Sequence, residues 1–470
     1  MKKKKSLILV LAITLFFWFV PASWLGLDSM TVLQQRTLSV FIFAALMWIF
    51  EVIPAWATSV FTMAILLLTV SDEAFILTPL AGGGFAEGTA VPHPDLMASF
   101  GNPIIILFLG GFILANCATK VGLDSDLARG MLRILGTRPA FVLLGFLLLN
   151  GLMSMFMSNT ATAAMMFTFM IPVLSRMPKN ERGRIALTLS IPIAANLGGL
   201  GTPIGTPPNA IAIGQLSQMG IEVGFSSWML HMVPYVLVML LVSWVLLLML
   251  YPFKTDCIEV DFGEKKPHDR NYWIVLFTLF LTILLWVTEE WTGYDSNVVA
   301  MVPFAIFAVT GIFGKEDFMQ IDWAILWMVA GGFALGTAFS HTGLGDMFIN
   351  AIPFKSWSVW LVFIMAGFVI YAISTFISNT SAANLLMPIL ALVGTAMGDN
   401  LNALGGVSSM LLFVAVNASL TMTLPISTPP NAIASSTGFV PTRDMLIVGL
   451  IIGVIGFVFA FSWIIAFPLK

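Results

Sequence analysis

Two short sequences that each occur twice determine how this chain is organised. Residues 156–160 read Phe-Met-Ser-Asn-Thr, and residues 376–380 read Phe-Ile-Ser-Asn-Thr. Residues 205–212 read Gly-Thr-Pro-Pro-Asn-Ala-Ile-Ala, and residues 427–434 repeat that run with serine in the first place. The copies of both sequences stand about 220 residues apart. Two motifs in the same order and at the same separation predict an internal repeat.

The composition around these motifs is that of a membrane protein. The chain has 470 residues, of which 59% are hydrophobic and only 10% are charged, whereas about 25% of a soluble domain is charged. A helix that spans a bilayer needs about 20 apolar residues, and many segments of the chain meet that length. The apolar runs are continuous and do not alternate as in a membrane β-barrel. The sequence therefore predicts an all-α polytopic membrane protein.

The motifs lie in segments of unusual length. Segments 139–174 and 356–394 are too long for one span and too short for two complete spans with a loop, and each has Ser-Asn-Thr at its centre. We therefore predict two re-entrant helical hairpins. Segments 185–217 and 405–438 each contain Thr-Pro-Pro-Asn, which predicts a broken helix because proline removes a backbone donor and disfavours helix just before it.

The distribution of basic residues favours one topology. With a cytoplasmic N-terminus, eleven spans and two re-entrant hairpins, 18 of the 21 Lys and Arg residues fall on the cytoplasmic side. Arg36, Lys355 and Lys470 fall outside. Basic residues concentrate on the cytoplasmic side of membrane proteins. This bias predicts an inner (plasma) membrane protein of bacterial type with an external C-terminus.

The repeat divides the chain into four parts. Residues 1–35 form a first transmembrane helix outside the repeat, residues 36–252 the first repeat, residues 253–270 a cytoplasmic linker, and residues 271–470 the second repeat. An odd number of predicted spans separates the two copies, so they run in opposite directions through the membrane. Inverted repeats with matched broken helices are typical of secondary transporters.

The motif residues suit an anion and a cation together. We expect the proline pairs to leave carbonyl groups unpaired near the middle of the membrane, where carbonyls and helix C-termini favour a cation and helix N-termini favour an anion. Ser, Asn and Thr can serve both ions. The four motifs contain no Lys, Arg, Asp, Glu or His, which favours sodium coupling over proton coupling. Two similar donor sets match a linear dianion with a carboxylate at each end, and sulfate also fits.

These paired motifs resemble the divalent anion:sodium symporter family, which comprises sodium-coupled dicarboxylate and citrate carriers. The resemblance covers nearly all of the chain after the first helix. It implies a homodimer, an elevator-type movement of a transport domain against a scaffold, and substrates such as succinate, malate, fumarate or citrate.

The resemblance also implies individual binding residues. The substrate-binding residues are Ser158, Asn159, Thr160, Thr206, Pro207, Ser378, Asn379, Thr380, Thr428 and Pro429. Sodium site 1 comprises Ser154, Ser158, Asn159 and Gly205, and sodium site 2 comprises Ser374, Asn379 and Ser427. Carbonyl groups near Ser154 and Ser374 are expected to complete the two sites.

The preferred function is the import of C4-dicarboxylates coupled to sodium. An electroneutral dicarboxylate or anion exchanger and a sodium-coupled citrate or sulfate carrier are alternatives on the same fold. An enzyme is not expected, because the sequence offers no nucleophile–base pair or metal cluster at membrane depth. We expect the lipid bilayer, sodium and a small anion as partners, with no nucleic acid and no organic cofactor.

Overall fold

The computed structural model describes residues 2–25, 27, 29–74, 88–260, 267–351 and 357–469. Among the basic residues used to predict the topology, Lys265, Lys266, Lys355 and Lys470 lie outside these ranges.

Regular structure in the described ranges is helical, with an isolated bridge between Ser71 and Val91 as the extent of β pairing there. The first half contains α1 (Lys2–Phe19), α2 (Val32–Phe50), α3 (Ala55–Thr69), α4 (His93–Ala98), α5 (Pro103–Val121), α6 (Leu123–Leu135), α7 (Pro139–Ser154), α8 (Asn159–Arg176), α9 (Gly183–Gly198), α10 (Pro207–Gln218) and α11 (Phe225–Leu250). The prediction of an all-α protein is confirmed for the described residues.

The second half has a similar order of elements. It contains α12 (Arg270–Val287), α13 (Glu289–Thr292), α14 (Ser296–Val299), α15 (Met301–Val309), α16 (Lys315–Met319), α17 (Trp323–His341), α18 (Leu344–Ala351), α19 (Val359–Phe376), α20 (Asn379–Met397), α21 (Gly406–Ser419), α22 (Pro429–Ser436) and α23 (Thr442–Ala466). Within the described residues, 9 helical segments are long and apolar enough to cross a membrane. The chain is therefore a multi-span membrane protein.

Each Ser-Asn-Thr sequence lies where one helix ends and the next begins. α7 ends at Ser154 and α8 begins at Asn159, while α19 ends at Phe376 and α20 begins at Asn379. The two helices of each pair pack against each other. The serine of the motif starts the second helix, because its hydroxyl accepts a hydrogen bond from the backbone N–H three residues later, at 3.2 Å in the first copy and 3.1 Å in the second. Such N-caps supply partners for otherwise unpaired donors.

The Thr-Pro-Pro-Asn sequences begin the second half of each broken helix. Thr206 and Thr428 are extended, and the prolines that follow occupy the first two positions of α10 and α22. A missing N–H costs nothing at these positions, because the first N–H groups of a helix have no intrahelical partner. The proline pairs therefore define where the half-helices start.

One expectation about the breaks is wrong in part. The side-chain amide of Asn209 donates to the carbonyls of Gly199 (3.0 Å) and Thr202 (2.8 Å). The amide of Asn431 likewise donates to Met422 (2.8 Å) and Leu424 (3.0 Å). Buried carbonyls need partners, and the asparagine of the motif supplies them. These carbonyls of the breaks are therefore paired, whereas we expected free ones.

Two helix ends bear on the predicted division of the chain, which stays a prediction. Helix α2, which spans the predicted boundary at residue 36, begins at Val32, where the Thr31 hydroxyl caps it. The predicted linker, residues 253–270, lies between the end of α11 at Leu250 and the first turn of α12, which begins at Arg270. The buried carboxylate of Glu181 holds the start of the linker, accepting hydrogen bonds from Lys254 N at 3.0 Å and Thr255 Oγ1 at 3.2 Å.

The two halves of the chain interlock around the motifs. α22 from the second half packs against α8 and α9 of the first, and α10 from the first half packs against α20 and α21 of the second. Each of these half-helices therefore touches one hairpin helix and the first part of the broken helix of the opposite repeat. This exchange of contacts brings all four motifs to one place.

Candidate functional site

A cavity of about 320 Å³ lies where the four motifs meet. All ten residues predicted to bind substrate line it, together with Gly205 and Ser427 from the predicted sodium sites. The remaining lining residues are mostly apolar side chains of α3, α5 and α17. Small-molecule sites usually have volumes of about 300–1,000 Å³. The cavity therefore has the size of a site for one small ligand.

Four of the helices that begin at this cavity start in the repeated motifs. They are α8, α10, α20 and α22, whose first residues Asn159, Pro207, Asn379 and Pro429 all line it. The N-terminus of a helix carries about half a positive charge. The described lining residues include no Lys, Arg or His and a single carboxylate, the exposed Asp322 that caps α17. The main positive potential in the cavity therefore comes from helix ends, which can hold an anion.

The first oxygen cluster lies beside Asn159. The tip of the Asn159 side-chain amide is 2.7 Å from Ser154 Oγ and 3.1 Å from the carbonyl oxygens of both Ala195 and Gly205. The Ser154 hydroxyl is also 2.7 Å from the Ala195 carbonyl. The cluster therefore joins one side-chain amide, one hydroxyl and two carbonyls.

The amide of Asn159 has two possible orientations with different consequences. With its nitrogen toward the cluster, it donates to the surrounding oxygens. With its oxygen toward the cluster, oxygen atoms face one another, and a bound cation is needed to offset their repulsion. Ala195 lies in the last turn of α9, and Ser154 is the last residue of α7. Helix C-termini and freed carbonyls are the groups that hold sodium in transporters with broken helices, so this cluster fits a sodium ion.

The second oxygen cluster lies beside Asn379. The hydroxyls of Ser374 and Thr421 each lie 3.0 Å from Asn379 Oδ1, and they lie 2.8 and 3.0 Å from the Ala418 carbonyl. Thr421 was missed in the sequence. Three residues after the alanine of each cluster, the second half has Thr421 and the first half has Gly198. Comparing the two repeats therefore gave no reason to select Thr421 as a site residue. The second cluster thus has a hydroxyl that the first lacks.

Three predicted serines use their hydroxyl groups within the fold. Those of Ser158 and Ser378 cap α8 and α20. The Ser427 hydroxyl donates to the Thr375 carbonyl at 2.8 Å and accepts from Leu424 N at 3.2 Å. All three residues line the cavity, but these hydrogen bonds go to backbone groups and not to the oxygen clusters. The Ser378 hydroxyl also donates to Ser381 Oγ at 2.8 Å.

Asn196 lines the cavity and is, after Thr421, the second site residue that sequence reasoning missed. It is 1% exposed, and its amide donates to Thr428 Oγ1 of the opposite half at 3.1 Å. It belongs to neither repeated motif, so only the packing of α9 against α22 reveals it.

A helical membrane protein with paired half-helices around a central polar cavity belongs to the class of secondary transporters. Solved structures of this architecture resemble the chain. Neisseria gonorrhoeae MtrF, from a class of antimetabolite efflux pumps, aligns with a TM-score of 0.55 at 13% identity over 88% of this chain and 94% of that one. The Alcanivorax borkumensis YdaH transporter aligns with a TM-score of 0.54 at 13% identity, over 88% and 99%. At this identity the likeness shows the fold alone.

Sequence comparisons define the family. Residues 45–408 match the family model described as "Citrate transporter". The sodium-dependent dicarboxylate transporter SdcS of Staphylococcus saprophyticus is 30% identical, over 90% of this chain and 83% of that protein. SdcS of Staphylococcus aureus USA300 is 28% identical, over 95% and 87%. The chain belongs to the divalent anion:sodium symporter family, as its motifs indicated.

Proposed function

We propose that this protein is a secondary active transporter that imports C4-dicarboxylates, such as succinate, malate or fumarate, together with sodium. One observation carries the proposal: a single cavity is bordered by the N-termini of the four motif helices and, behind Asn159 and Asn379, by two oxygen clusters. The relatives named as sodium-dependent dicarboxylate transporters support it.

In this proposal the anion and the sodium ions stabilise each other. Sodium binds in the two clusters, and the dianion lies between the two Ser-Asn-Thr tips, with one carboxylate toward Thr160 and Thr206 and the other toward Thr380 and Thr428. No basic side chain of the described lining neutralises the anion. The helix N-termini and the bound sodium ions supply the compensating charge.

The proposed arrangement in the membrane is the one predicted from charge. It has eleven spans, an inverted repeat, a cytoplasmic N-terminus, an external C-terminus and two hairpins that enter from opposite faces. The length of α7 supports a re-entrant hairpin, because 16 residues extend about 24 Å and the bilayer core is about 30 Å thick. We further propose that the protein is a homodimer in which both tips move together in an elevator-type step.

Uptake of radiolabelled succinate into proteoliposomes tests the function. We expect uptake driven by an imposed sodium gradient, and loss of that uptake in Asn159→Ala and Asn379→Ala, because each variant removes an amide oxygen from one cluster. Asn402→Ala is the matched control, since Asn402 is exposed and contacts Asp399 away from the cavity.

The outcomes separate the competing functions. Uptake that ignores the sodium gradient but needs internal dicarboxylate would identify an exchanger. Near-normal transport by both asparagine variants would place the site elsewhere. Citrate is included as a competitor, because the matching family model is described as a citrate transporter. Sodium-driven uptake of citrate in preference to succinate would replace the C4 assignment.

A further inference from the structure

The two halves differ at one buried position beside the cavity. Asn196 follows Ala195 and Ser419 follows Ala418, and these two alanines provide the equivalent carbonyls of the two oxygen clusters. Asn196 and Ser419 thus each directly follow the alanine of their own half's cluster, and each is 1% exposed. An asparagine amide in one half thus replaces a serine hydroxyl in the other.

Two backbone carbonyls, which can only accept hydrogen bonds, fix the orientation of the Asn431 amide and, through it, that of the Asn196 amide. The carbonyls of Met422 and Leu424 lie 2.8 and 3.0 Å from Asn431 Nδ2, so the amide nitrogen of Asn431 must face them. The Asn431 oxygen then faces Asn196 at 3.4 Å. Asn196 must present its NH2 group to that acceptor, and the same nitrogen lies 3.1 Å from Thr428 Oγ1.

This network leaves the Thr428 hydroxyl a single role. A hydroxyl has two lone pairs and one hydrogen. Its oxygen accepts from Asn196 Nδ2 at 3.1 Å and from Asn431 N at 3.3 Å. Both lone pairs are occupied, and the hydroxyl has no hydrogen-bond acceptor among the described residues. Thr428 lines the cavity, so its O–H group is left as a donor to a ligand there.

The first half has no equivalent network. The Asn209 amide is oriented by two carbonyls in the same way, but its oxygen and the Ser419 hydroxyl have no partner in the described part of the chain. The Thr206 hydroxyl, unlike that of Thr428, does not cap its helix. It can rotate and either donate or accept.

We propose that Asn196 is a positioning residue that makes the Thr428 hydroxyl an obligate hydrogen-bond donor. The two ends of the cavity, at Thr428 and at Thr206, therefore differ in the substrate groups that they accept. The substrate end at Thr428 must then be an acceptor-only group, such as an ionised carboxylate. The end at Thr206 can be a carboxylate or a group that also donates, such as a hydroxyl. This inference rests on the proposed function, because it assumes a carboxylate ligand.

A double-mutant cycle on succinate KM tests the inference. We expect Thr428→Val to raise KM about ten-fold or more, because a hydrogen bond to a charged group is lost. Asn196→Ala should raise KM about five-fold with little change in maximal rate, since the hydroxyl remains but is no longer oriented. In the Thr428→Val background, Asn196→Ala should add less than about two-fold, because coupled residues are not additive. Ser419→Ala is the matched control and should stay within about two-fold of wild type.

Additive effects of Asn196→Ala and Thr428→Val would overturn the proposal, as would equal coupling of Asn196 to Thr206 in a cycle with Thr206→Val. A sodium-dependent rise in melting temperature verifies that each variant is folded. If the Asn196→Ala variant lacks this rise, the cycle uses Asn196→Ser instead, because serine is too short to reach Thr428.

Failure of the proposed function would appear separately, as absent succinate uptake by the wild type. The cycle is then measured on the anion from a panel of citrate, sulfate and dicarboxylates that raises the melting temperature most, and the same coupling is required.

Discussion

At the scale of single residues, Gly199 permits the close approach that forms the first oxygen cluster. A Cβ atom on Gly199 would lie 2.7 Å from Asn159 Oδ1 and 3.0 Å from the Gly205 carbonyl oxygen. Its backbone is right-handed helical (φ −55°), so alanine is tolerated by the backbone. A methyl group there would act purely by occupying space beside the proposed sodium ligands.

We therefore predict that Gly199→Ala raises the sodium concentration for half-maximal succinate uptake about ten-fold or more, because overpacking costs about 1–3 kcal/mol and falls on the ligands. Sodium titration of proteoliposome uptake measures the effect. Gly130→Ala is the control, since a Cβ there meets nothing within 4 Å. An unchanged sodium dependence in Gly199→Ala would mean that this cluster does not bind the coupling ion.

At the scale of elements, the broken helices present opposite ends to the oxygen clusters and to the cavity. The last turns of α9 and α21 supply the carbonyls of Ala195 and Ala418 to the oxygen clusters. The first turns of α10 and α22 face the cavity. Because helix C-termini are negative and N-termini positive, one break can favour a cation on one side and an anion on the other.

The linker between α11 and α12 offers a test of the proposed topology. Cys257 in the linker is exposed, whereas Cys117 in α5 is buried. We predict that a membrane-impermeant maleimide modifies the protein in inside-out vesicles and not in intact cells, because the linker is placed in the cytoplasm. Cys257→Ser should abolish the labelling and Cys117→Ser should leave it unchanged. Labelling in intact cells would place the linker outside and reverse both hairpins.

At the scale of the whole molecule, neither half completes the cavity alone. Each broken helix packs on helices of the other half, and Asn196 bonds across that boundary to Thr428. The two oxygen clusters, in contrast, each belong to one half. A dianion between the tips would therefore connect two sodium sites that share no side chain.

This arrangement predicts reciprocal binding of sodium and succinate. Sodium should increase the stabilisation by succinate, and succinate should increase the stabilisation by sodium by the same coupling factor. Melting temperatures of the purified protein, titrated with each ligand in sodium or choline chloride, measure both directions. A ligand at 100 times its Kd raises the free energy of unfolding by about 2.7 kcal/mol and so raises the melting temperature. Asn159→Ala should weaken the coupling. Equal stabilisation by succinate in choline and in sodium would contradict it.

The sequence by itself determined the helical class, the repeat and the motif residues that meet at the cavity. Long apolar runs permit only helices here, and prolines and capping serines act on their own backbone, so their effects can be read locally. The tertiary structure decided which hydroxyls join the oxygen clusters. Ser158, Ser378 and Ser427 bond to the backbone, while Thr421 joins a cluster and Asn196 reaches Thr428 from the other half. A hydroxyl or amide bonds to whatever group packing brings within about 3 Å, and for Thr421 and Asn196 that group lies on a helix distant in the sequence.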